Sequence, residues 1–438
     1  MRRLRRKKLF FVVLTVIFFI FPLVGSAVRA QEQTDDWPMY RHDPARTGHS
    51  NAEEPGWLST VWRQKIGDDV QSSPAVANGR VYIASYDGVG FYEYIGFVKC
   101  LDASSGNLVW IFETGGAIRS SPAVFEGKVY IGSDAGYLYC LDASNGNTIW
   151  SYRANGAIGS SPVVINGKVY VGSNSGYAYC LDASTGSRIW SREIGSDTLS
   201  SPAVYDGRVY IGSWDGNVYC LDSSDGVQIW SYRVGRWAFS PPAIAYGKVY
   251  IGAIDPHIHG YVCCIDAENG SLIWDYRSDG GALVEHPPAV ANGRIYISSQ
   301  GGGRFLNCFD AENGNLIWSH ADEDYDFSSP VVVNQKLYVG AFWGRGEWLG
   351  PGEPHHYYVY CMDARSGRLI SKHEVDSALT SSPAVVDRRI YVASSYGYLY
   401  CFGGPDLVSS IVVFSIWSAA VVAAIGISFF LKSKLAQV

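Results

Sequence analysis

Histidine and cysteine are the residues of this chain best suited to chemistry, and their spacing separates them at once. Five of the nine histidines, His257, His259, His286, His355 and His356, crowd into one region. Trp237, Phe239, Trp343, Arg345, Glu347, Trp348 and Glu353 stand in the same region. Exposed aromatics beside charged groups are the usual composition of a surface that holds a protein or a glycan. Imidazoles also suit a transition metal, but His257, His259, His355 and His356 lack a recognised ligand spacing. Asp322, Asp324 and Asp326 alternate like the start of a calcium loop. Phe327 then takes the place of the turn glycine, and no Glu follows at the twelfth position. No metal site is expected. The candidate binding set is Trp237, His257, His259, His286, Trp343, Arg345, Trp348, His355 and His356.

The cysteines read differently. Eight of nine (Cys100, Cys140, Cys180, Cys220, Cys264, Cys308, Cys361, Cys401) recur at one place in a repeat. Equivalent positions in stacked sheets lie on the order of 10 Å apart, beyond the ~7 Å that a disulfide spans. They are expected to be small buried hydrophobes. Cys263 and Cys264 are neighbours within a strand, where successive side chains face opposite ways, so no redox pair is expected.

These residues must be positioned by the repeat itself. Its fourth copy runs Ser200-Ser201-Pro202-Ala203-Val204, Gly207 to Gly212, Val218 to Asp222, then Gly226 to Trp230. Each piece is short and apolar or alternating, and turn residues separate the pieces, which predicts four antiparallel strands. Asn78-Gly79, Asn166-Gly167, Asp206-Gly207 and Asn292-Gly293 suit tight type I′ hairpins. Pro74, Pro122, Pro162, Pro202, Pro242, Pro288, Pro330 and Pro383 anchor eight copies. Four strands in about forty residues is the size of a propeller blade, and a lone blade cannot bury both its faces. The fold expected is an all-β, eight-bladed β-propeller over residues 58–402.

Spacing also shows how the ring closes. Trp110, Trp150, Trp190, Trp230 and Trp318 each stand twelve residues before the next anchoring proline. Trp62 keeps that offset from Pro74 without strands of its own before it, and the last copy stops after Cys401-Phe402. Leu58 to Ile66 is therefore predicted to supply the missing outer strand of the last blade.

Cys140-Leu141-Asp142-Ala143-Ser144-Asn145-Gly146 followed by Trp150 resembles the tryptophan-docking motif of the PQQ-like β-propeller repeat family, in which BamB-like and PQQ-binding propellers fall. The glycine would make the tight turn, the tryptophan lie flat between blades, and the aspartate tie turn amides. Cys stands where the family usually has Ala, and Ser371 replaces the tryptophan of the seventh copy. Trp37 to Pro44, with Arg46-Thr47-Gly48, is similar to the leader that precedes such propellers in surface proteins.

Two functional classes follow from the resemblance. BamB-like propellers are non-enzymatic scaffolds, whereas PQQ-dependent dehydrogenases need a Ca²⁺-binding Glu/Asn/Asp set and an axial catalytic Asp. The innermost strands here begin Ser-Ser-Pro or similar and match no such set. No catalytic residue and no cofactor are expected, PQQ and Ca²⁺ included. A quinoprotein-like dehydrogenase is the alternative reading.

The interval from anchoring proline to repeat cysteine is 18 in the second, third, fourth and eighth copies, but 26, 22, 20 and 31 in the first, fifth, sixth and seventh. From cysteine to the next proline it is 22 in six of seven cases. Length variation thus gathers on one face, where loops on a rigid scaffold usually carry binding residues. A net charge of -6 argues against a nucleic-acid partner.

The termini read as targeting segments. Residues 1–30 have a basic start, an apolar run from Leu9 to Phe21 and Val28-Arg29-Ala30 as a cleavage site, which is a signal peptide. Residues 31–57 form the leader segment. Leu407 to Leu431 is 25 residues without a charge, followed by Lys432 and Lys434, which predicts a C-terminal transmembrane helix and a short cytoplasmic tail over 432–438. The propeller is then expected outside a cell membrane, with a surface protein or glycan as its partner.

Overall fold

The strand pattern read from the repeat folds into eight blades around one axis. The computed structural model describes residues 36–403, apart from Trp57, 91–92, Phe239, Pro256, Ile258, 279–281, 302–304, 322–324 and 344–355. The signal segment and the C-terminal span lie outside the described residues. Among the described residues there is no helix, and none long and apolar enough to cross a membrane.

Blade two is representative. Its strands, Ala123–Phe125, Lys128–Gly132, Tyr137–Asp142 and Thr148–Arg153, run antiparallel from the axis outward. The turn between the first two puts Glu126 and Gly127 at positive φ, as a type I′ hairpin requires. Tyr130, Cys140 and Trp150 lie side by side across three strands. The cysteine therefore sits in a packed row between a tyrosine and a tryptophan. All nine cysteines are buried free thiols.

Blades join through the tryptophans. Trp150 Nε1–H donates to the Ala183 carbonyl of the next blade at 3.1 Å, and its ring lies on Gly186. The same bond recurs from Trp62, Trp110, Trp190, Trp230, Trp274 and Trp318 to Ala103, Ala143, Ser223, Ala267, Ala311 and Ala364. Asp182 Oδ1 accepts the amides of Ser184 and Thr185 and so holds the turn that carries the glycine. The strand-two tyrosine adds a second bond to the same carbonyl, as from Tyr130 to Ala183 at 3.0 Å.

Seven seams are closed this way. Thr60–Lys65 pairs antiparallel with Tyr398–Gly403, Trp62 opposite Cys401, so the N-terminal strand does complete blade eight. The seam between blades seven and eight has no such dock. Ser371 occupies the tryptophan position opposite Cys361, and the buried Tyr338 hydroxyl has no hydrogen-bond partner among the described residues.

The leader closes that seam instead. Ala52 O accepts from Asn334 Nδ2 at 2.8 Å, Glu54 pairs with Lys336 at 2.7 Å, and Glu53 pairs with Arg388 at 2.5 Å. Further out, Thr60 Oγ1 meets His373 Nε2 at 3.0 Å and Arg63 pairs with Asp376. Upstream, the leader crosses the axis. Carbonyls of Trp37, Pro38, Pro44, Ala45, Thr47 and Gly48 accept the amides of Val76, Val124, Val204, Ile244, Val290 and Val332. Those amides belong to the innermost strands of six blades, whose inner edges would otherwise be unpaired.

The docking glycine and the hairpin glycine make different demands. A Cβ on Gly186 would come within 2.6 Å of the Trp150 ring, whereas one on Gly207 meets nothing within 4 Å, and both have φ of +72°. Gly186→Ala is expected to cost clearly more than Gly207→Ala, for which the conformational cost alone is about 1–2 kcal/mol. Urea unfolding of the two variants checks the difference.

Burial pushes the thiols up, Cys140 to about 11 and Cys220 and Cys401 to about 12, from an ordinary 9.0. As pH rises past about 9, the unfolded chain loses these protons first, so stability present below that pH should fall through the 9–12 window. Replacing Cys140 and Cys220 by Ala should flatten the fall, as thermal melts between pH 8 and 11 would show.

Candidate functional site

The connections that vary in length do share one face, and the structure gives them internal order. In blade one the extra length becomes a long hairpin, Arg80–Gly90 with Glu93–Asp102. Between blades five and six, Ala282–Leu283 pairs with Gln300–Gly301. Between blades six and seven, Tyr325–Phe327 pairs with Ala341–Trp343 at the end of blade seven's second strand. The irregular connections between blades are thus pinned by short ladders onto the blades they enter.

Blade five organises its loop around one carboxylate. Asp255, at the end of strand Lys248–Ile254, accepts the amides of His257 and His259 at 2.8 and 2.9 Å. Arg277 from the outer strand pairs with its Oδ2 at 2.8 Å and reaches His259 Nδ1 at 2.7 Å. Burial pushes this carboxyl up, but the His259 and His257 amides, the His259 ring and Arg277 outweigh it and hold Asp255 below the usual carboxylate range. His257 is left exposed beside His259, ring centroids 6.4 Å apart. The sequence reading named the two histidines and missed the aspartate that places them; its position directly after an extended strand was the available signal.

The other expected residues are dispersed around this loop. Trp237 bridges Ile254 through its backbone, and Arg236 lies over its ring at 4.2 Å. His356 stacks on Tyr358 and pairs with Glu374 at 2.5 Å. Trp343 ends a strand, and Arg345, Trp348 and His355 lie outside the described residues. His286 does not join the group: it faces the axis, with Nδ1 3.4 Å from Ser329 Oγ.

That axis holds a cavity of about 240 Å³ walled by all eight blades and by Tyr40 of the leader. The two serines of Ser-Ser-Pro divide the work of building it. The first fastens the innermost strand to the second, as where Ser160 Oγ accepts Gly172 N–H at 2.8 Å. The second links blades: Ser382, Ser73, Ser121 and Ser161 each donate a backbone N–H to the hydroxyl oxygen of Ser73, Ser121, Ser161 and Ser201 in turn. Pro241 and Pro287 interrupt the ring in blades five and six.

Beneath the serines lie two guanidiniums with no exposed surface. Arg41 donates to the Pro330 and Pro288 carbonyls at 2.6 and 2.9 Å. Arg46 donates to Pro202, Ser161 and Pro162 carbonyls at 2.8 to 3.0 Å. Burial pushes both down to about 10, partly offset by Tyr40 and Asp43, so both stay charged at neutral pH. Burial, with Arg41 nearby, pushes His286 down to about 4, so that ring is neutral there.

A sequence model of the family described as the β-propeller of the beta-alanine-activating enzyme matches residues 61–345, more than half of the chain. The chain belongs to that propeller family. It is a propeller repeat protein of the PQQ-like, BamB-like kind. Among solved structures, BamB from Moraxella catarrhalis is similar at 20% identity over 80% of this chain and 98% of that one, with a TM-score of 0.63. Quinohemoprotein alcohol dehydrogenase from Comamonas testosteroni is similar at 16% identity over 87% of this chain and 83% of that one, with a TM-score of 0.68. The computationally designed Ika8 protein matches at 16% identity over 78% of this chain and all of its own, with a TM-score of 0.59. At these identities the likeness is one of fold. No curated protein matches the chain by sequence.

In this propeller the blade-five loop should depend on its carboxylate while the ring does not. Asp255→Ala is expected to raise hydrogen exchange over residues 253–262 and leave the melting temperature within about 2 °C, since the group lies at a strand end away from every docking tryptophan. Exchange mass spectrometry with a thermal melt checks both halves.

Proposed function

We propose that this propeller is a non-enzymatic binding scaffold, held outside a cell membrane, that takes a surface protein or glycan on the connections of blades five to seven. The observation that carries the reading is the contrast between the blades and these connections. Blades are fixed by a repeated dock that tolerates little variation, while the irregular segments gather on one face and are pinned there by short ladders. Trp237, His257 and His356 give that face aromatic and imidazole groups beside Arg236, Arg277 and Glu374. Such a mixture suits a partner contacted through stacking and charge-assisted hydrogen bonds.

The membrane part of the proposal rests on hydropathy. A basic, apolar start over residues 1–30 and an uncharged run over 407–431 support export and anchoring. The similarity to dehydrogenases raises a quinoprotein as the alternative. Among the described residues that line the axial cavity there is no carboxylate, so the donor set does not fit a Ca²⁺-bound quinone there.

Replacing Trp343, Trp348 and His356 by Ala should leave the melting temperature nearly unchanged and remove retention of the partner captured by crosslinking on whole cells. Undiminished capture by the triple variant would count against the surface. Dye reduction dependent on an alcohol, after addition of PQQ and Ca²⁺, would favour the quinoprotein instead.

A further inference from the structure

We propose that the axial cavity is a binding site for a small oxyanion, of the size of phosphate or a short carboxylate. Its wall is lined by serine and threonine hydroxyls and, among the described residues, by no carboxylate. The hydroxyl oxygens of Ser73, Ser121, Ser161 and Ser201 each accept a backbone N–H from the preceding blade. Each hydroxyl still carries a hydrogen, and no acceptor for it stands among the described residues. A serine hydroxyl is both donor and acceptor, so this ring is satisfied on one side only. On the blade-eight side, the Ser382 and Thr380 hydroxyl oxygens are buried with no hydrogen-bond partner among the described residues. Ser382 itself is 3% exposed, and both residues line the cavity.

Charge points the same way as the hydrogen bonds. Arg41 and Arg46 are fully buried below the ring and hold carbonyls of the residues that adjoin the cavity wall. Asp43 is the carboxylate that faces them from the leader, and it is already engaged by Thr47 and His42. Among the described residues, one carboxylate against two guanidiniums leaves a net positive charge beneath the cavity. Arg119 stands in the wall itself, 3.4 Å from Asp134. His286, neutral at neutral pH, adds no charge to this balance. Hydroxyl donors converging above a buried cation pair complement an oxyanion, which accepts several hydrogen bonds while offsetting the charge. The cavity of about 240 Å³ holds such an ion with water to spare but is small for a drug-sized ligand.

The site is separate from the loop surface of blades five to seven, so either can fail without the other. The test is titration calorimetry and thermal melting of the full chain in detergent, in Tris buffer, with inorganic phosphate as the probe. Acetate and citrate run in parallel distinguish a phosphoryl from a carboxyl ligand, and sodium chloride controls for ionic strength. Saturable binding of one oxyanion per chain, with a melting temperature that rises with its concentration, is the expected result. The double variant Ser382→Ala, Thr380→Val should bind about tenfold more weakly or worse, because charge-assisted donors are lost. It should melt no lower than the native protein without ligand, because it removes two unsatisfied buried hydroxyls. No saturable binding of any of the three anions by the native chain, or equal affinity in the folded double variant, would overturn the assignment.

Discussion

A tryptophan laid flat on the glycine of the next blade is the contact on which the ring depends. It combines three demands that few other side chains meet together. The ring buries a large apolar face, its N–H has a fixed carbonyl to reach, and the surface beneath must lack a Cβ. Because the glycine is also at positive φ, the turn that carries it is fixed by the same residue that makes room for the ring. Repeated seven times, the contact sets a constant distance and angle between blades. It also explains most of the free thiols: seven of the nine cysteines are small residues packed inside a row that ends in that tryptophan.

The one seam without the dock shows what the contact otherwise supplies. Between blades seven and eight a serine replaces the tryptophan and the neighbouring tyrosine hydroxyl loses its acceptor. Ion pairs and backbone bonds from the leader and the latch strand take over there, and these are more exposed and more easily screened. The leader therefore does two jobs in about twenty residues. It pairs with inner edges across the axis, then turns outward to seal the weak seam. Two buried arginines strengthen the first job, since Arg41 reaches blades six and seven while Arg46 reaches blades three and four.

A scaffold built this way leaves binding to the parts that the dock does not govern. The connections of blades five to seven can lengthen because no docking contact passes through them. The axis, by contrast, is constrained from every side, and its chemistry comes from the Ser-Ser-Pro repeat that also builds the blades. One surface is thus adaptable and the other is small, rigid and donor-rich. Both are offered by the same ring without any catalytic set among the described residues that line the axis.

The eight-blade architecture was legible in the residues because every signal for it is local. A proline, a turn pair, a cysteine and a tryptophan at fixed offsets describe a blade without reference to any other blade, and Trp62 betrays the latch by offset alone. The loop histidines were legible as a composition, but Asp255, which places two of them, was not, because a lone aspartate after a strand has no spacing to mark it. His286, which replaces the first serine of its copy, was grouped with the connections on that face. Ring closure turned it to the axis instead. The path of the leader is the clearest case of what only the tertiary structure decided. Arg41 meets Pro330 across 289 residues of chain, and that distance in space exists only once eight blades have closed around it. The sequence determined the blade and its repetition; closure decided which edges, charges and hydroxyls came to face one another at the centre.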